Sequence, residues 1–183
     1  MQILKHTLVK TSFGVVGILW RPSDLRVQRV FLPSPPAEAE SRILAMHQAS
    51  KPSSCPPVDE LCERIQRFLR GEAVWFDLRI LALDQCSAFQ QSVLMAESEI
   101  PRGWVSTYGR IARQVESPGG ARAVGRALAT NPFPLVIPCH RAVQSDGALG
   151  GFQGGQEMKR ALLQLEGVEF CGPSRVVMNR VYY

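Results

Sequence analysis

The sequence has no long hydrophobic run. No stretch approaches the roughly 18 uninterrupted apolar residues of a membrane helix, and residues 1–10 contain no apolar segment typical of a signal peptide. The five cysteines are an odd number without C-x-x-C spacing, which indicates neither a complete disulfide framework nor a four-ligand zinc site. We therefore expect a cytoplasmic protein with reduced thiols, no membrane association, no metal and no cofactor. His6 and His47 are expected at the surface.

Positive charge is concentrated in the second half of the chain. Residues 1–100 contain 11 Lys or Arg and 11 Asp or Glu, whereas residues 101–183 contain 10 and 5, which accounts for the net charge of +5. Between residues 102 and 141 only Glu116 opposes six arginines, namely Arg102, Arg110, Arg113, Arg122, Arg126 and Arg141. This distribution is typical of a surface that binds a polyanion, although a solvated basic face has the same composition.

Residues 1–86 predict a small α/β domain. Reactive side chains are not concentrated in this part of the sequence, so we expect it to be mainly structural. Cys62 falls on the apolar face of a predicted helix and is interpreted as a core residue. The predicted elements are, in order, a hairpin of strands over 13–20 and 25–32, a helix over 37–49, a Pro-rich loop over 51–57, a helix over 58–70 and a returning strand over 74–83.

Residues 87–183 predict a mainly helical domain. Apolar spacing indicates one helix that ends at Pro101 and two short helices over 107–115 and 121–129. The short helices are joined by a Gly-containing turn, which is typical of a helix-turn-helix. Helical hairpins without a DNA role have the same pattern, but the arginines on these helices favour DNA binding.

The chemistry is expected at Cys139. Residues 135–137 predict a buried strand, and Pro138-Cys139-His140-Arg141 follows it. A lone cysteine at a strand end is more often a small buried hydrophobic residue. The adjacent His140 favours a nucleophile, because an imidazole can accept the thiol proton directly or through a water molecule. Neighbouring strand residues point to opposite faces, so the two side chains can cooperate only if the chain turns there.

The Pro138-Cys139-His140-Arg141 segment resembles the active site of the O6-alkylguanine-DNA alkyltransferases. The similarity extends over about 80 residues in the order and spacing of that family. The matching segments are Phe89-Gln90-Gln91, Ile100-Pro101-x-Gly103, Ser106-x-Tyr108, Arg122-Ala123-Val124-Gly125, Asn131-Pro132, Gly147 to Gly155, Lys159, Leu162-Leu163 and Glu166-Gly167.

The resemblance implies a fold, a reaction and a set of site residues. The fold is α+β, with an RNase H-like domain over 1–86 and a DNA-binding and alkyltransferase domain over 87–183 that carries the helix-turn-helix and a short active-site strand. The reaction is an irreversible, single-turnover transfer of the alkyl group to Cys139, whose sulfur is expected to be ionised at the foot of a pocket. His140 is the base, Glu166 orients it, Tyr108 donates to the leaving guanine and Asn131 ties the helices to the active-site strand.

The implied partner is double-stranded DNA that contains O6-alkylguanine, bound by a monomer in the cytoplasm or wherever the nucleoid or nuclear DNA lies. The base must leave the duplex, and Arg122 is the residue that would fill the gap. Ala121, Ala123 and Gly125 are small enough for the narrow minor groove. Further DNA contacts are expected from Arg110, Arg126 and Arg141, and the guanine pocket is expected to include Leu128, Phe152, Gln153 and Gly154.

Two alternative functions remain, and one helix departs from the residue pattern of the family. Alkyltransferase-like proteins flip damaged bases without transfer, but they replace the cysteine, usually by tryptophan. A cysteine hydrolase of another fold would use an unusual adjacent Cys-His pair. The departure is that Leu94 stands where the family usually has tryptophan, while Glu97 and Ser98 stand at usually apolar positions, so we expect this helix to pack differently.

Overall fold

The computed structural model describes residues 3–183 and divides the chain into two compact units. One unit comprises the chain up to Ala82 together with Pro132–Val136, and the other comprises Leu83–Asn131 and Ile137–Tyr183. Helices and sheet occur together, which confirms the α+β class. The assignment of separate functions to 1–86 and 87–183 stays a prediction. None of the helices within residues 3–183 has the length and apolar character needed to span a bilayer.

A four-stranded sheet forms the centre of the first unit. Its strands are β1 (Lys5–Thr11), β2 (Gly14–Arg21), β3 (Arg26–Ser34) and β4 (Lys51–Pro52), in the order β3-β2-β1-β4. β2 pairs antiparallel with both β1 and β3, and β4 runs parallel to β1. The hairpin of β2 and β3 was predicted, whereas β1 was not. Only His6 and Val9 of β1 are buried, and most of its other residues are polar, so the sequence lacks the apolar pattern that predicts a strand.

Two helices pack against this sheet. They are α1 (Pro36–Met46) and α2 (Pro56–Leu69), and each has a proline in its first turn, where the missing N–H leaves no hydrogen bond unmade. Gly17 of β2 allows α1 to approach, because a Cβ there would lie 2.7 Å from Ile43 Cδ1. Cys62 is buried on α2, as predicted.

Two predictions for the first unit are wrong. Residues 74–83 form no strand; they contain the 3₁₀ turn Leu78–Ile80 and a single bridge from Leu81 to Val27. His6 is 1% exposed rather than a surface residue. Its Nδ1 lies 3.0 Å from Ser50 Oγ and its Nε2 lies 3.3 Å from Glu40 Oε1, so β1 and its neighbours enclose the imidazole. His47 is exposed, as expected.

The second unit is mainly helical. Its helices are α3 (Ala88–Glu99), α4 (Tyr108–Gln114), α5 (Ala121–Ala129) and α6 (Gly155–Leu165), and its two short parallel strands are β5 (Ser106–Thr107) and β6 (Ala142–Val143). Side chains define two helix starts, because Ser87 Oγ accepts from Gln90 N and Thr107 Oγ1 accepts from Arg110 N, both at 3.2 Å. The pair α4 and α5 packs together across the turn at 117–120.

The predicted strand before the cysteine is absent. Residues 135–137 contain a turn, and Leu135 adopts a positive φ of 73°, which an extended strand cannot contain. The segment is nevertheless buried, so its apolar sequence was correctly assigned to the interior but not to a strand. The short strand β6 follows the Cys139–Arg141 turn instead of preceding it.

Candidate active site

A cavity of about 590 Å³ lies within the second unit and is lined by Cys139. Its wall is formed by α5, by Tyr108 at the start of α4 and by the loop before α6. The lining residues are Tyr108, Ala121, Arg122, Gly125, Leu128, Ala129, Cys139, Gln144, Gly150, Gly151, Phe152 and Gln153. Most predicted pocket residues therefore meet here. Gly154 does not line the cavity and lies immediately before α6 instead.

Cys139 and His140 occupy a 3₁₀ turn, Cys139–Arg141. Backbone hydrogen bonds from Cys139 N to Ile137 O and from Arg141 N to Pro138 O, both 2.8 Å, bend the chain at this point. Successive side chains in such a turn do not alternate between opposite faces as in a strand. The side chains of Cys139 and His140 are therefore not forced to opposite faces, as they would be in a strand.

His140 is held by a buried carboxylate. Its Nε2 lies 2.9 Å from Glu166 Oε1, and the Glu166 side chain is fully buried. Arg141 donates to the same carboxylate through Nε to Oε2 at 2.9 Å and through Nη2 to Oε1 at 2.7 Å. Burial alone would raise the pKa of Glu166, but the charge that His140 carries when it is protonated, the hydrogen bonds of His140 and Arg141 and the charge of Arg141 outweigh it and lower the pKa to about 2. Glu166 is therefore an anion.

The imidazole of His140 is neutral at rest. Burial lowers its pKa more than the charge and hydrogen bond of Glu166 raise it. When Nε2–H donates to Glu166, Nδ1 carries the lone pair and can accept a proton. The edge of the Phe152 ring also faces the imidazole, with centroids 6.5 Å apart.

The Cys139 sulfur is not ionised at rest, which corrects the expectation from the sequence. Burial raises its pKa to about 12, against a smaller lowering by a hydrogen bond from the Asn131 side chain. The thiol must therefore lose its proton during the reaction. Asn131 also donates from Nδ2 to Ile137 O at 3.1 Å, and its backbone carbonyl accepts from Gln153 Nε2 at 2.8 Å. This asparagine therefore connects the segment before Cys139 to the loop before α6.

Tyr108 remains protonated. Burial raises its pKa to about 12, and the charges of Glu97 and Cys139 act in the same direction. Its hydroxyl lies against Gly150, where φ is +68° and a Cβ would be 2.8 Å from the phenolic oxygen. Any other residue at this position would displace the tyrosine ring or the loop.

Lys159 is buried in the second unit and binds the backbone of the loop before α6. It is 0% exposed, and its Nζ donates to Ala142 O at 2.6 Å, Leu149 O at 2.5 Å and Gly151 O at 3.3 Å. Burial lowers its pKa to about 8, although the charges of Cys139 and Glu97 oppose this change. The Nζ lies 5.9 Å from the centroid of the Tyr108 ring.

The residues predicted to bind DNA lie in two kinds of environment. Arg122, Ala123 and Arg126 are exposed on α5, and Arg122 lines the cavity together with Ala121 and Gly125. Arg110 is half-buried and donates to the carbonyl of Tyr183. Arg141, with a side chain only 12% exposed, binds Glu166 and donates to Ile100 O at 2.5 Å.

Sequence reasoning missed several residues of this site. Gln144 and Ala129 line the cavity without any local motif that could have indicated it. Lys159 matched the resemblance but received no role. Glu97 was noted only as a departure from an apolar position, and it is fully buried in this unit.

Comparison with known proteins identifies similar chains. A family profile described as "6-O-methylguanine DNA methyltransferase, DNA binding domain" matches residues 88–168. The methylated-DNA–protein-cysteine methyltransferase of Methanothermobacter thermautotrophicus is 46% identical over 121 residues, which cover 65% of this chain and 68% of the relative.

Solved structures show the same similarity. The O6-methylguanine-DNA methyltransferase of Pyrococcus kodakaraensis is 31% identical with a TM-score of 0.68, over 89% of this chain and 99% of that one. The structure of Mycobacterium tuberculosis OGT in complex with DNA is 29% identical with a TM-score of 0.70, over 88% of this chain and 92% of that one.

Proposed function

Because this chain belongs to the methylated-DNA–protein-cysteine methyltransferase family, we propose that it repairs DNA by transferring the alkyl group of O6-alkylguanine to Cys139. The observation that carries the proposal is a cavity of about 590 Å³ that is lined by Cys139 and Tyr108. The thioether that forms is stable, so each molecule reacts once and irreversibly.

Proton transfer begins at the thiol. His140 accepts the proton of Cys139 at Nδ1, directly or through a water molecule, and Glu166 stabilises the resulting imidazolium. The neutral resting imidazole and the anionic Glu166 support these roles. Arg141, assigned to DNA contacts from its charge alone, acts instead by holding the Glu166 carboxylate.

Transfer is an in-line displacement at the alkyl carbon. The bond between sulfur and carbon forms as the bond between carbon and O6 breaks, and the electron pair of the broken bond passes to the guanine. Tyr108 stabilises the developing negative charge by donating its hydroxyl proton, which its raised pKa keeps in place at rest. The proton that the thiol gave to His140 then returns to the Tyr108 phenolate through solvent, so the net result is the transfer of one proton from the thiol to the guanine.

The helices α4 and α5 form the DNA-binding helix-turn-helix. The cavity is lined by α5 residues, so a base rotated out of the duplex next to this helix could enter it. Arg122 is exposed beside the cavity and could stack in the gap that the base leaves. Ala121, Ala123 and Gly125 allow α5 to approach a groove closely, and Arg126 is exposed for phosphate contact.

The first unit is RNase H-like and serves a structural role. The strand order β3-β2-β1-β4, with its antiparallel pairs and one parallel pair, supports this comparison. The functional division at residues 86 and 87 also belongs to the proposal, and the family match over 88–168 supports it.

A single experiment tests the proposed function. The protein is incubated with a duplex oligonucleotide that contains O6-methylguanine, and its peptides are analysed by mass spectrometry. We expect one methyl group on Cys139 and no turnover after one equivalent. The Cys139→Ser variant should bind the duplex without transfer, whereas Cys171→Ser, which changes an exposed thiol, should react like the wild type. Binding without methylation, or hydrolytic turnover, would refute the proposal.

A further inference from the structure

The turn that follows α3 carries an arginine to which the proposed reaction gives no role. The carbonyl of Pro101 accepts from Trp104 N at 3.1 Å, and Gly103 has a φ of +77°, as in a type II turn. Arg102 occupies the first central position of this turn and is half-buried. Its side chain therefore lies partly inside the second unit.

Arg102 caps the C-terminal end of α6. This end has the Schellman pattern, in which two backbone amides beyond the helix donate to its last turn at 3.0 Å, namely Gly167 N to Gln164 O and Val168 N to Leu163 O. The next carbonyl of the helix, that of Leu165, accepts from Arg102 Nη2 at 2.6 Å. A positive charge is also favourable here, because the carbonyl dipoles concentrate negative charge at the C-terminal end of a helix.

The same turn also contacts the backbone of Glu166, the next residue of the chain. A Cβ at position 103 would lie 3.1 Å from Glu166 O, so Gly103 permits a close approach that a side chain would disturb. Immediately before the turn, Ile100 O accepts from Arg141 Nη1 at 2.5 Å. This short segment therefore contacts both the backbone of Glu166 and the arginine that binds its carboxylate.

The position of Glu166 matters because its carboxylate orients the proposed base. Its Oε1 lies 2.9 Å from His140 Nε2. A displacement of about 1 Å within a site can slow a reaction by on the order of 100-fold. Because the Glu166 side chain is fully buried, the end of α6 determines where its carboxylate lies. A shift of this helix end would therefore move the carboxylate relative to His140.

We propose that Arg102 is a positioning residue for alkyl transfer, which holds the end of α6 so that the Glu166 carboxylate stays within hydrogen-bonding distance of His140. The inference rests on the proposed function for its effect on transfer, but not for its effect on the imidazole. Arg102 is not among the residues that line the cavity, so it acts through the backbone of α6. The alternative role for this arginine is a contact with phosphate.

The first test is a double-mutant cycle with free O6-benzylguanine, which involves no phosphate. Arg102→Met should slow single-turnover transfer by on the order of 10-fold in the wild-type background. In the Glu166→Gln background it should slow transfer by less than about 2-fold, because the charge that stabilises the imidazolium is already lost. Equal slowing in both backgrounds would overturn the proposal, since Arg102 would then act independently of Glu166. Slowing with duplex DNA alone would also overturn it and would indicate a phosphate contact.

Further variants control for the loss of an arginine and for misfolding. Arg160→Met removes an arginine of α6 that donates to Gly172 O at 2.7 Å, a bond of the same kind in the same unit. Its rate with free O6-benzylguanine should be nearly that of the wild type. Arg102→Lys keeps the charge and one donor, so it should react faster than Arg102→Met. It takes the place of Arg102→Met in the cycle if that variant does not fold.

A measurement without transfer separates this inference from the proposed function. Nuclear magnetic resonance of the His140 ring reports whether Nε2–H is hydrogen-bonded to Glu166. In Arg102→Met we expect this proton to move upfield or to exchange faster with solvent, as in Glu166→Gln, whereas Arg160→Met should leave it unchanged. An unchanged resonance in Arg102→Met would overturn the role of Arg102. A changed resonance, in a protein whose wild type never accepts the benzyl group, would refute the proposed function alone.

Discussion

Both units have exposed ion pairs, such as Arg175–Asp146 in the second unit, but the two units differ in how many ionisable side chains they bury. In the first unit most ion pairs lie at the surface, and they are Arg21–Asp24, Arg64–Glu60, Arg67–Glu72, Arg70–Glu72 and Arg79–Asp77. In the second unit the Glu166 side chain is fully buried against His140 and Arg141, and Lys159 and Glu97 are also fully buried. Exposed pairs contribute roughly 0–1 kcal/mol, whereas buried charges carry a large desolvation cost. Buried charge in this protein is therefore concentrated where chemistry is proposed.

The largest effect is expected from Glu166→Gln, which tests whether buried charge in the second unit is essential. The variant removes the anion that stabilises the imidazolium of His140 and leaves Arg141 without its counter-charge. Alkyl transfer should slow at least about 100-fold, and the free energy of unfolding should fall by about 3–5 kcal/mol. Single-turnover kinetics and denaturant titration measure the two quantities. Glu169→Gln, at an exposed carboxylate three residues away, should change neither.

The same variant also has a predicted dependence on pH. The pKa of Glu166 is lowered to about 2 in the folded protein, from an ordinary value of 4.5. Its contribution to stability is therefore complete above the ordinary value and is lost as the pH falls toward the folded value. Wild type should lose stability relative to Glu166→Gln over that interval, and a constant difference would contradict the assignment of Glu166 as the buried anion.

Arg122→Ala should give the next largest effect, because it removes an exposed charge that we assign to DNA and not to folding. Repair of duplex DNA should slow by at least roughly 10-fold, since the gap left by the flipped base costs a few kcal/mol. Reaction with free O6-benzylguanine should be nearly unchanged. Arg122→Lys keeps the charge but loses the planar group, so it should recover little of the duplex rate. Equal losses on both substrates would rule out a role in base flipping.

Glu97→Leu should stabilise the protein, in contrast to the loss of Glu166. The pKa of Glu97 is raised to about 8, so the folded state becomes less stable as the pH rises from the ordinary value of 4.5 toward 8. Removal of this acid should raise the melting temperature by at least about 2–4 °C, equivalent to about 1 kcal/mol, near pH 8. The gain should be smaller near pH 5. A melting temperature lowered at both pH values would contradict burial of the acid.

The smallest effect is expected from Glu60→Gln in the first unit. Glu60 and Arg64 form an exposed pair one helical turn apart, with 2.7 Å between Nη2 and Oε1. Such pairs contribute about 0.3–0.5 kcal/mol. Denaturant titration in low and high salt should detect a small loss that salt removes. A loss in the free energy of unfolding comparable to that of Glu166→Gln would contradict the proposed difference between exposed and buried charges.

The sequence predicted the first five helices because their determinants are local, whereas α6 (Gly155–Leu165) was not predicted. Apolar spacing and the stop at Pro101 predicted the end of α3 and the start of α4 to within one or two residues. The strands that failed depend on distant partners. The segment 74–83 has strand-like composition but only one bridge, through Leu81, to the sheet. Similarly, residues 135–137 are apolar because they are buried, and burial alone does not distinguish a strand from a turn.

Site residues that belong to a motif of fixed spacing could be predicted from the sequence. Residues whose role depends on burial or on partners distant in the sequence could not. The positions of Cys139 and Tyr108 follow from the resemblance, and both line the cavity. A count of charges cannot distinguish Arg122, which is exposed, from Arg141, which faces a buried carboxylate. Nor could it show that the acid at position 97 is enclosed, because acids are rarely buried without partners.

The hydrogen bonds of Lys159 determine how the loop before α6, which forms part of the cavity wall, would lose its structure. One ammonium group joins three carbonyl oxygens from two separate segments, at Ala142, Leu149 and Gly151. Chemical neutralisation of that nitrogen removes the positive charge from all three contacts at the same time. The loop should therefore loosen in one cooperative step and not by gradual fraying from either end.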